Sequence, residues 1–220
     1  MKNSNPLKTL TFASLISLGI GAQVSQSHAA ELETITVAGG CFWCVESDFE
    51  QVNGVTEAES GFAGGTTANP TYKEVTGGST GHYEAVRITF DPSVVTAGSL
   101  YAMFFRSVDP TDAGGQFCDR GDSYRTAIFT KTPDQLNAAQ KAKKDAEGDL
   151  GQKIVTPILG DTTFYPADAY HQDYYKGTKL VLTRFGPKRQ ASAYKAYRKA
   201  CGRDARVDEL WGNAAPFTGG

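Results

Sequence analysis

The spacing of apolar residues along the chain changes several times, and each change marks an element. Residues 33–38 (ETITVA) read as a strand ending at Gly39-Gly40, after which Phe42, Val45, Phe49 and Val52 recur at spacings of 3, 4 and 3, the stripe of a helix. From 82 to 90 the pattern alternates, with Glu84, Val86, Ile88 and Phe90 on one face of a strand and Tyr83, Ala85, Arg87 and Thr89 on the other. A helix is predicted from Pro92 to about Ser107, weakened at Gly98. Residues 125–130 (RTAIFT) read as a strand, 133–148 as a Pro-started, Lys-rich surface helix, 153–159 (KIVTPIL) as a strand, and 167–176 and 189–200 as helices. Strands and helices alternate without long buried β-runs. That favours an α+β fold, a compact two-layer α/β sandwich with a mixed sheet, flanking helices and long loops, over a doubly wound parallel sheet.

Composition places these elements in one ordinary globular unit. The 220 residues are 40% hydrophobic and 21% charged, without a repeat of solenoid length or a long linker, so a single domain is expected over 30–220. The first 29 residues are set apart. Lys2 and Lys8 precede an uncharged, mostly apolar run from Thr9 to Ala22, and Ser27-His28-Ala29 puts small residues at −3 and −1 of a cleavage after Ala29. This is the pattern of a secretory signal, and the run is too short for a spanning helix, which needs about 20 apolar residues. The expected location is therefore periplasmic or extracellular, with no membrane attachment after cleavage. The formal net charge of −2 gives no global excess of positive charge for nucleic acid or anionic lipid, although a small local basic patch remains compatible with it. Removing the two N-terminal lysines leaves 20 basic against 24 acidic side chains.

Four cysteines are too few for a disulfide scaffold in a chain this long, so attention turns to reactive thiols or a metal site. Gly39-Gly40-Cys41-Phe42-Trp43-Cys44 places Cys41 where a strand gives way to a helix. Unpaired backbone N–H groups and the positive end of the helix dipole should favour its thiolate. Cys44, one helical turn on, is within reach of the first sulfur. Such a pair serves redox chemistry, a permanent disulfide or half of a zinc site, and Cys118 and Cys201 supply no second C-x-x-C. Phe42 shares the apolar stripe of the helix, whereas Trp43 lies off it. An aromatic wall beside a nucleophilic sulfur suits an apolar group such as a methyl on the reacting atom.

Several separate motifs then resemble one family. Gly40-Cys41-Phe42-Trp43, Asn69-Pro70-Thr71-Tyr72, Thr80-Gly81-His82-Tyr83-Glu84-Ala85-Val86 and Asp119-Arg120-Gly121-Asp122-Ser123-Tyr124-Arg125 occur in the order found in A-type peptide methionine sulfoxide reductases. Tyr165-Pro166-Ala167 and Tyr170-His171-Gln172 extend the resemblance over most of 33–177. It implies a ferredoxin-like sandwich that reduces the S epimer of methionine sulfoxide, free or in proteins. The implied reductant is thioredoxin-like, and no metal or organic cofactor is involved; a monomer is the expected form. Cys41 corresponds to the nucleophile, Glu84 to the acid that protonates the sulfoxide oxygen, Tyr72 and Tyr124 to hydrogen-bond donors on that oxygen, and Asp119 to a carboxylate ordering the polar side. Phe42 and Trp43 correspond to the wall around the S-methyl group. Desolvation on the Val86 face of its strand should keep Glu84 protonated, unless a nearby arginine satisfies it as an ordinary ion pair. His171 reads as structural.

One departure concerns the thiol that resolves a sulfenic acid on Cys41. The commonest family pattern has Gly after Phe-Trp, where this chain has Cys44. Cys44 is therefore the preferred resolving candidate and Cys201, on an expected C-terminal tail, the second. Cys118, next to Asp119, is available to pair with Cys201. Two other readings compete. A thioredoxin-like disulfide oxidoreductase would place Trp before the first Cys and Pro between the two, and this chain does neither. A non-catalytic peptide-binding module would hold all four cysteines in structural disulfides.

Overall fold

A computed structural model describes Met1 and residues 31–218. The proposed signal at 1–29 otherwise lies outside the described residues. In chain order the elements are β1 (Glu33–Gly39), α1 (Phe42–Glu50), β2 (Val55–Ala63), α2 (Tyr72–Thr76), β3 (Tyr83–Phe90) and α3 (Ala97–Phe105). The short strands β4 (Gly115–Gln116) and β5 (Asp119–Arg120) precede β6 (Thr126–Phe129), α4 (Pro133–Leu150), β7 (Ile158–Leu159) and β8 (Tyr165–Pro166). A hairpin of β9 (Leu180–Thr183) and β10 (Gly186–Arg189) leads into α5 (Gln190–Cys201) and α6 (Arg203–Trp211).

Six strands form one mixed sheet in the order β7-β6-β1-β3-β2-β8, antiparallel except for β6 with β7. Its four inner strands, β6-β1-β3-β2, with α1 and α3 in the crossovers, make the βαββαβ arrangement of ferredoxin-like folds. The main core lies on one face, where Ile35, Val37, Val86, Ile88 and Phe90 meet Phe42, Val45 and Phe49 of α1 and Leu100, Phe104 and Phe105 of α3. A smaller cluster of Ala38, Ala63, Tyr83, Ala85, Ala127 and Phe129 sits on the other face. The α+β sandwich expected from the alternation is thus the observed one.

Local chemistry moves several boundaries. The helix predicted from Pro92 begins only after Thr96, whose hydroxyl accepts the Ser99 N–H at 3.1 Å, because Asp91 ties Ser93 into a preceding turn. Of the strand predicted over 153–159, only Ile158–Leu159 pairs with β6. The helix predicted over 167–176 is absent. Asp173 has φ +56°, its N–H donates to Glu46 at 2.5 Å, and only Tyr174–Lys176 form a 3-10 turn. Gln172 meanwhile exchanges two hydrogen bonds with the backbone of Ser60, so side-chain chemistry claims groups that helical bonds would need. The strand β2, the β9–β10 hairpin and α6 are elements the apolar periodicity does not announce.

Candidate active site

Cys41 occupies the N-cap position of α1, with φ −53° and ψ 117°, immediately after Gly40 at φ +83°. A side chain at Gly40 would meet Cβ of Gln116 at 2.6 Å, so glycine both permits the turn and lets the β4–β5 segment close over it. Gln116 is fully buried and exchanges hydrogen bonds with the backbone of Asp109, which fixes that segment and hence the placement of Asp119. The central strand β3 brings Glu84 to the same helix terminus, where its Oε2 accepts the Phe42 N–H at 3.0 Å.

All nine residues singled out in the sequence line one pocket of about 290 Å³: Cys41, Phe42, Trp43, Cys44, Tyr72, Glu84, Asp119, Tyr124 and Cys201. One wall is acidic. Burial pushes the Glu84 carboxyl up to about 8, with the Phe42 N–H pulling against it and Asp119 adding to the rise. Oε1 of Glu84 is buried without a hydrogen-bond partner, and among the described residues no cation pairs with this carboxyl. Burial likewise raises Tyr72 and Tyr124, with Glu84 contributing to both, so both phenols keep their protons. Burial raises Asp119 as well, opposed by Arg203 and Arg184.

The thiols differ from the expectation drawn from the helix dipole alone. Cys41 lies well above the usual thiol range, first because its proton is engaged with Cys44, then through burial and the charges of Cys44, Glu84 and Asp119. The same hydrogen bond lowers Cys44 to about 7 against burial, helped by Arg203 and Arg198. The carboxyl groups of Glu84 and Asp119 thus act on one sulfur and the guanidinium groups of Arg203 and Arg198 on the other. The helix-end argument is outweighed here first by the neighbouring Cys44 and by burial, and Glu84 takes the first free N–H of α1.

Behind Cys44 the two arginines form a buried lattice. Arg198 reaches Asp48 at 2.7 Å, Asp204 at 2.8 Å and the Tyr194 hydroxyl at 2.9 Å. Arg203 donates to the carbonyl oxygens of Gly39 and Ser107 and lies 3.4 Å from Asp48, while its own Nε has no partner. Paired this closely, the buried charges are held in place because losing one member would strand another away from water.

The opposite wall is aromatic. Trp43 stacks on Tyr174 with ring centroids 3.8 Å apart and an interplanar angle of 7°. His171 packs against Phe42, Trp43 and Tyr72 from outside the pocket lining; burial depresses its pKa, and its Nδ1 has no partner. Tyr170, Tyr174, Val181 and Arg198 also line the pocket, and sequence reasoning did not assign them to it. Tyr170 lies in a quoted motif, but the expected 167–176 helix hid how the segment turns back over Trp43.

Cys118 and Cys201 form a disulfide, their Cα atoms 4.8 Å apart, whereas Cys41 and Cys44 are free thiols. Cys201 is not on a loose tail: it ends α5, and α6 follows with Val207 and Trp211 buried in the core. The free thiols also depart from a module stapled by two inert bridges. Among the described residues no helix is long and apolar enough to cross a membrane.

Comparison with known proteins agrees with this geometry. The family model described as peptide methionine sulfoxide reductase matches residues 33–211. A curated Caulobacter vibrioides protein, peptide methionine sulfoxide reductase MsrA 2, is 46% identical over 91% of this chain and 96% of its own length. The Listeria monocytogenes MsrA is 47% identical over 82% of this chain and 96% of its own. Among solved structures, reduced Mxr1 of Saccharomyces cerevisiae aligns with a TM-score of 0.63 and 32% identity, covering 66% of this chain and 85% of that one. Methionine sulfoxide reductase A of Corynebacterium diphtheriae aligns with a TM-score of 0.61 and 36% identity, covering 66% and 74%.

Proposed function

The chain belongs to the peptide methionine sulfoxide reductase family, thiol-dependent oxidoreductases, and from that premise we propose that it reduces the S epimer of methionine sulfoxide with Cys41 as nucleophile and Cys44 as resolving thiol. The observation that carries this reading is the convergence of a protonated carboxyl, two phenols and an aromatic wall on Cys41.

Attack of sulfur on a sulfoxide places negative charge on the oxygen, so a proton must arrive there as the new bond forms. Glu84 supplies that proton below about pH 8, with Tyr72 and Tyr124 donating hydrogen bonds to the same oxygen. As the Cys41 sulfur bonds to the substrate sulfur, its own proton passes to the neighbouring Cys44 sulfur, which Arg203 and Arg198 favour as thiolate. The oxygen then ends on Cys41 as a sulfenic acid, and methionine leaves. The substrate sulfur gains two electrons and Cys41 loses two. Stereochemistry follows from the walls: with the oxygen on the Glu84 side, the methyl must face Phe42 and Trp43, and the R epimer would reverse the two.

In the second step Cys44 passes its proton to the carboxylate that Glu84 became in the first step and attacks the sulfenic sulfur as thiolate. The S–S bond forms, the S–O bond breaks, and the oxygen leaves as water after taking up a proton. Because Cys41 sits at the N-cap outside the regular helix, the i, i+3 pair needs little backbone motion to close. A thioredoxin-like dithiol then reduces the Cys41–Cys44 disulfide by exchange; no metal or organic cofactor enters these steps. Asp119 orders the polar side through its place beside Tyr124. The composition of residues 1–29 supports export, so the proposed setting is repair of oxidised proteins in the periplasm or outside the cell.

Offering each sulfoxide epimer separately with dithiothreitol and measuring methionine tests the reading. Turnover of the S epimer alone is expected; equal turnover of both would refute the assignment of the two walls.

A further inference from the structure

The stretch from Tyr174 to Arg203 holds nine Lys and Arg and no Asp or Glu, in a chain whose formal net charge is −2. It contains the β9–β10 hairpin, which forms a two-stranded sheet of its own. Cross-strand pairing places Leu180 opposite Arg189 and Leu182 opposite Pro187, so these four share the outer face, and all are exposed. Leu180 is 75% and Leu182 86% exposed, more than a soluble surface usually leaves two neighbouring leucines. Leu182 also lines the rim of the active-site pocket, beside Val181 and Thr183.

The charges around this face are unspent. Lys176 is paired with Glu50 and Asp173, and Arg198 and Arg203 with Asp48, which accounts for the nearest acids on α1 and on the turn before the hairpin. Arg184 lies over Phe185 and Tyr197 at the hairpin tip and acts on Asp119 inside the pocket. Among the described residues Lys179, Arg184, Lys188 and Arg189 join no ion pair.

We propose that the outer face of the β9–β10 hairpin is a docking surface for the oxidised polypeptide itself, recognising apolar residues with acidic neighbours on either side of the reacting methionine sulfoxide. This rests on the active-site reading above and adds to it a preference among protein substrates. The strand that walls the pocket also carries the exposed leucines, so a main chain whose sulfoxide has entered the pocket leaves it across Leu182. Leu180, Leu182 and Pro187 offer apolar contact there, and Lys179 and Arg189 attract acidic side chains and repel basic ones.

The test uses dithiothreitol as reductant, so that docking of a protein reductant is silent. Three extended peptides carry the same central methionine S-sulfoxide between leucines, flanked by Glu, Gln or Lys; N-acetylmethionine S-sulfoxide, too small to span the outer face of the hairpin, is the control. At about 20 mM salt kcat/KM is expected to rank Glu over Gln over Lys, with about a fivefold span from two rim charges, shrinking at about 500 mM salt. The exposed double variant Lys179→Glu/Arg189→Glu should reverse the ranking, and Leu180→Ser, at a leucine outside the pocket lining, should lower all three peptides severalfold. Both should leave the control within twofold, which also reports that they fold. Equal kcat/KM for the three peptides at low salt, or an unreversed ranking in the charge variant, would overturn the proposal. So would charge variants that alter only the KM for a protein reductant, since the face would then belong to the reductant. Loss of turnover of the small control in the wild type would instead count against the active-site reading.

Discussion

Two cysteine pairs lie around one pocket, and they are built in opposite ways. Cys41 and Cys44 are three residues apart and free, and their acidities are split first by each other and then by their surroundings, Glu84 and Asp119 acting on the first and Arg203 and Arg198 on the second. Cys118 and Cys201 are separated by 83 positions and bonded, joining the loop that carries Asp119 to the end of α5. In the proposed mechanism the first pair exchanges a proton and then an electron pair. The second holds two parts of the pocket wall together, the one with Asp119 and the one with Arg198 and Arg203.

The sharpest break in that comparison is Cys41→Ser. It should bring turnover of methionine S-sulfoxide with dithiothreitol to the uncatalysed level, while Cys118→Ser lowers it no more than severalfold; comparable losses from the two would erase the distinction. Next comes Glu84→Gln. Without the proton donor the chemical step is expected to slow about 10²- to 10⁴-fold, and the fall in wild-type rate as pH rises through about 8 should vanish from its profile. Stability supplies an independent sign. The folded Glu84 carboxyl titrates above its ordinary range, so the folded state binds more protons and loses stability as pH rises from about 4.5 to about 8. Glu84→Gln should therefore be more stable than wild type at pH 8, with the advantage fading below pH 5 in denaturant titrations.

Arg198→Met tests the electrostatic half of the contrast. In a Cys41→Ser background, with the disulfide intact, Cys44 is the remaining free thiol. Its alkylation midpoint should rise when Arg198 is removed and return with Arg198→Lys, whereas an unmoved midpoint would detach the arginine from the sulfur. The smallest effect on chemistry is expected from Cys118→Ser/Cys201→Ser. Opening a loop of this length costs about 4.5 kcal/mol of stability on the chain-entropy view, yet turnover with dithiothreitol should fall only severalfold.

What was legible in the sequence follows from which forces act locally. The alternation of β3 put Glu84 on the face of Val86 and Ile88, and burial there is what keeps its proton. The glycine pair before Cys41 signalled a strand-to-helix turn for a reason the structure repeats, a positive φ at Gly40. The failures arise where distant partners decide. Residues 167–176 carry no local mark that Glu46 and Ser60, more than a hundred positions away, will claim their backbone and side chains. The β9–β10 hairpin was missed because its leucines face outward, against the assumption that an apolar alternation points to a core. The acidity of Cys44 was hidden too, since Arg198 and Arg203 reach it only once α5 and α6 have folded back on α1.

The central claim is that Cys41 is oxidised by substrate and resolved by Cys44 while the second disulfide stays closed. Enzyme with Cys41 and Cys44 reduced and Cys118–Cys201 bonded is mixed with one equivalent of methionine S-sulfoxide in the absence of reductant, then digested and mapped by mass without reduction. One methionine per enzyme, a new Cys41–Cys44 linkage and an unchanged Cys118–Cys201 linkage are predicted. A Cys41–Cys201 linkage with Cys44 left as a free thiol would contradict the account.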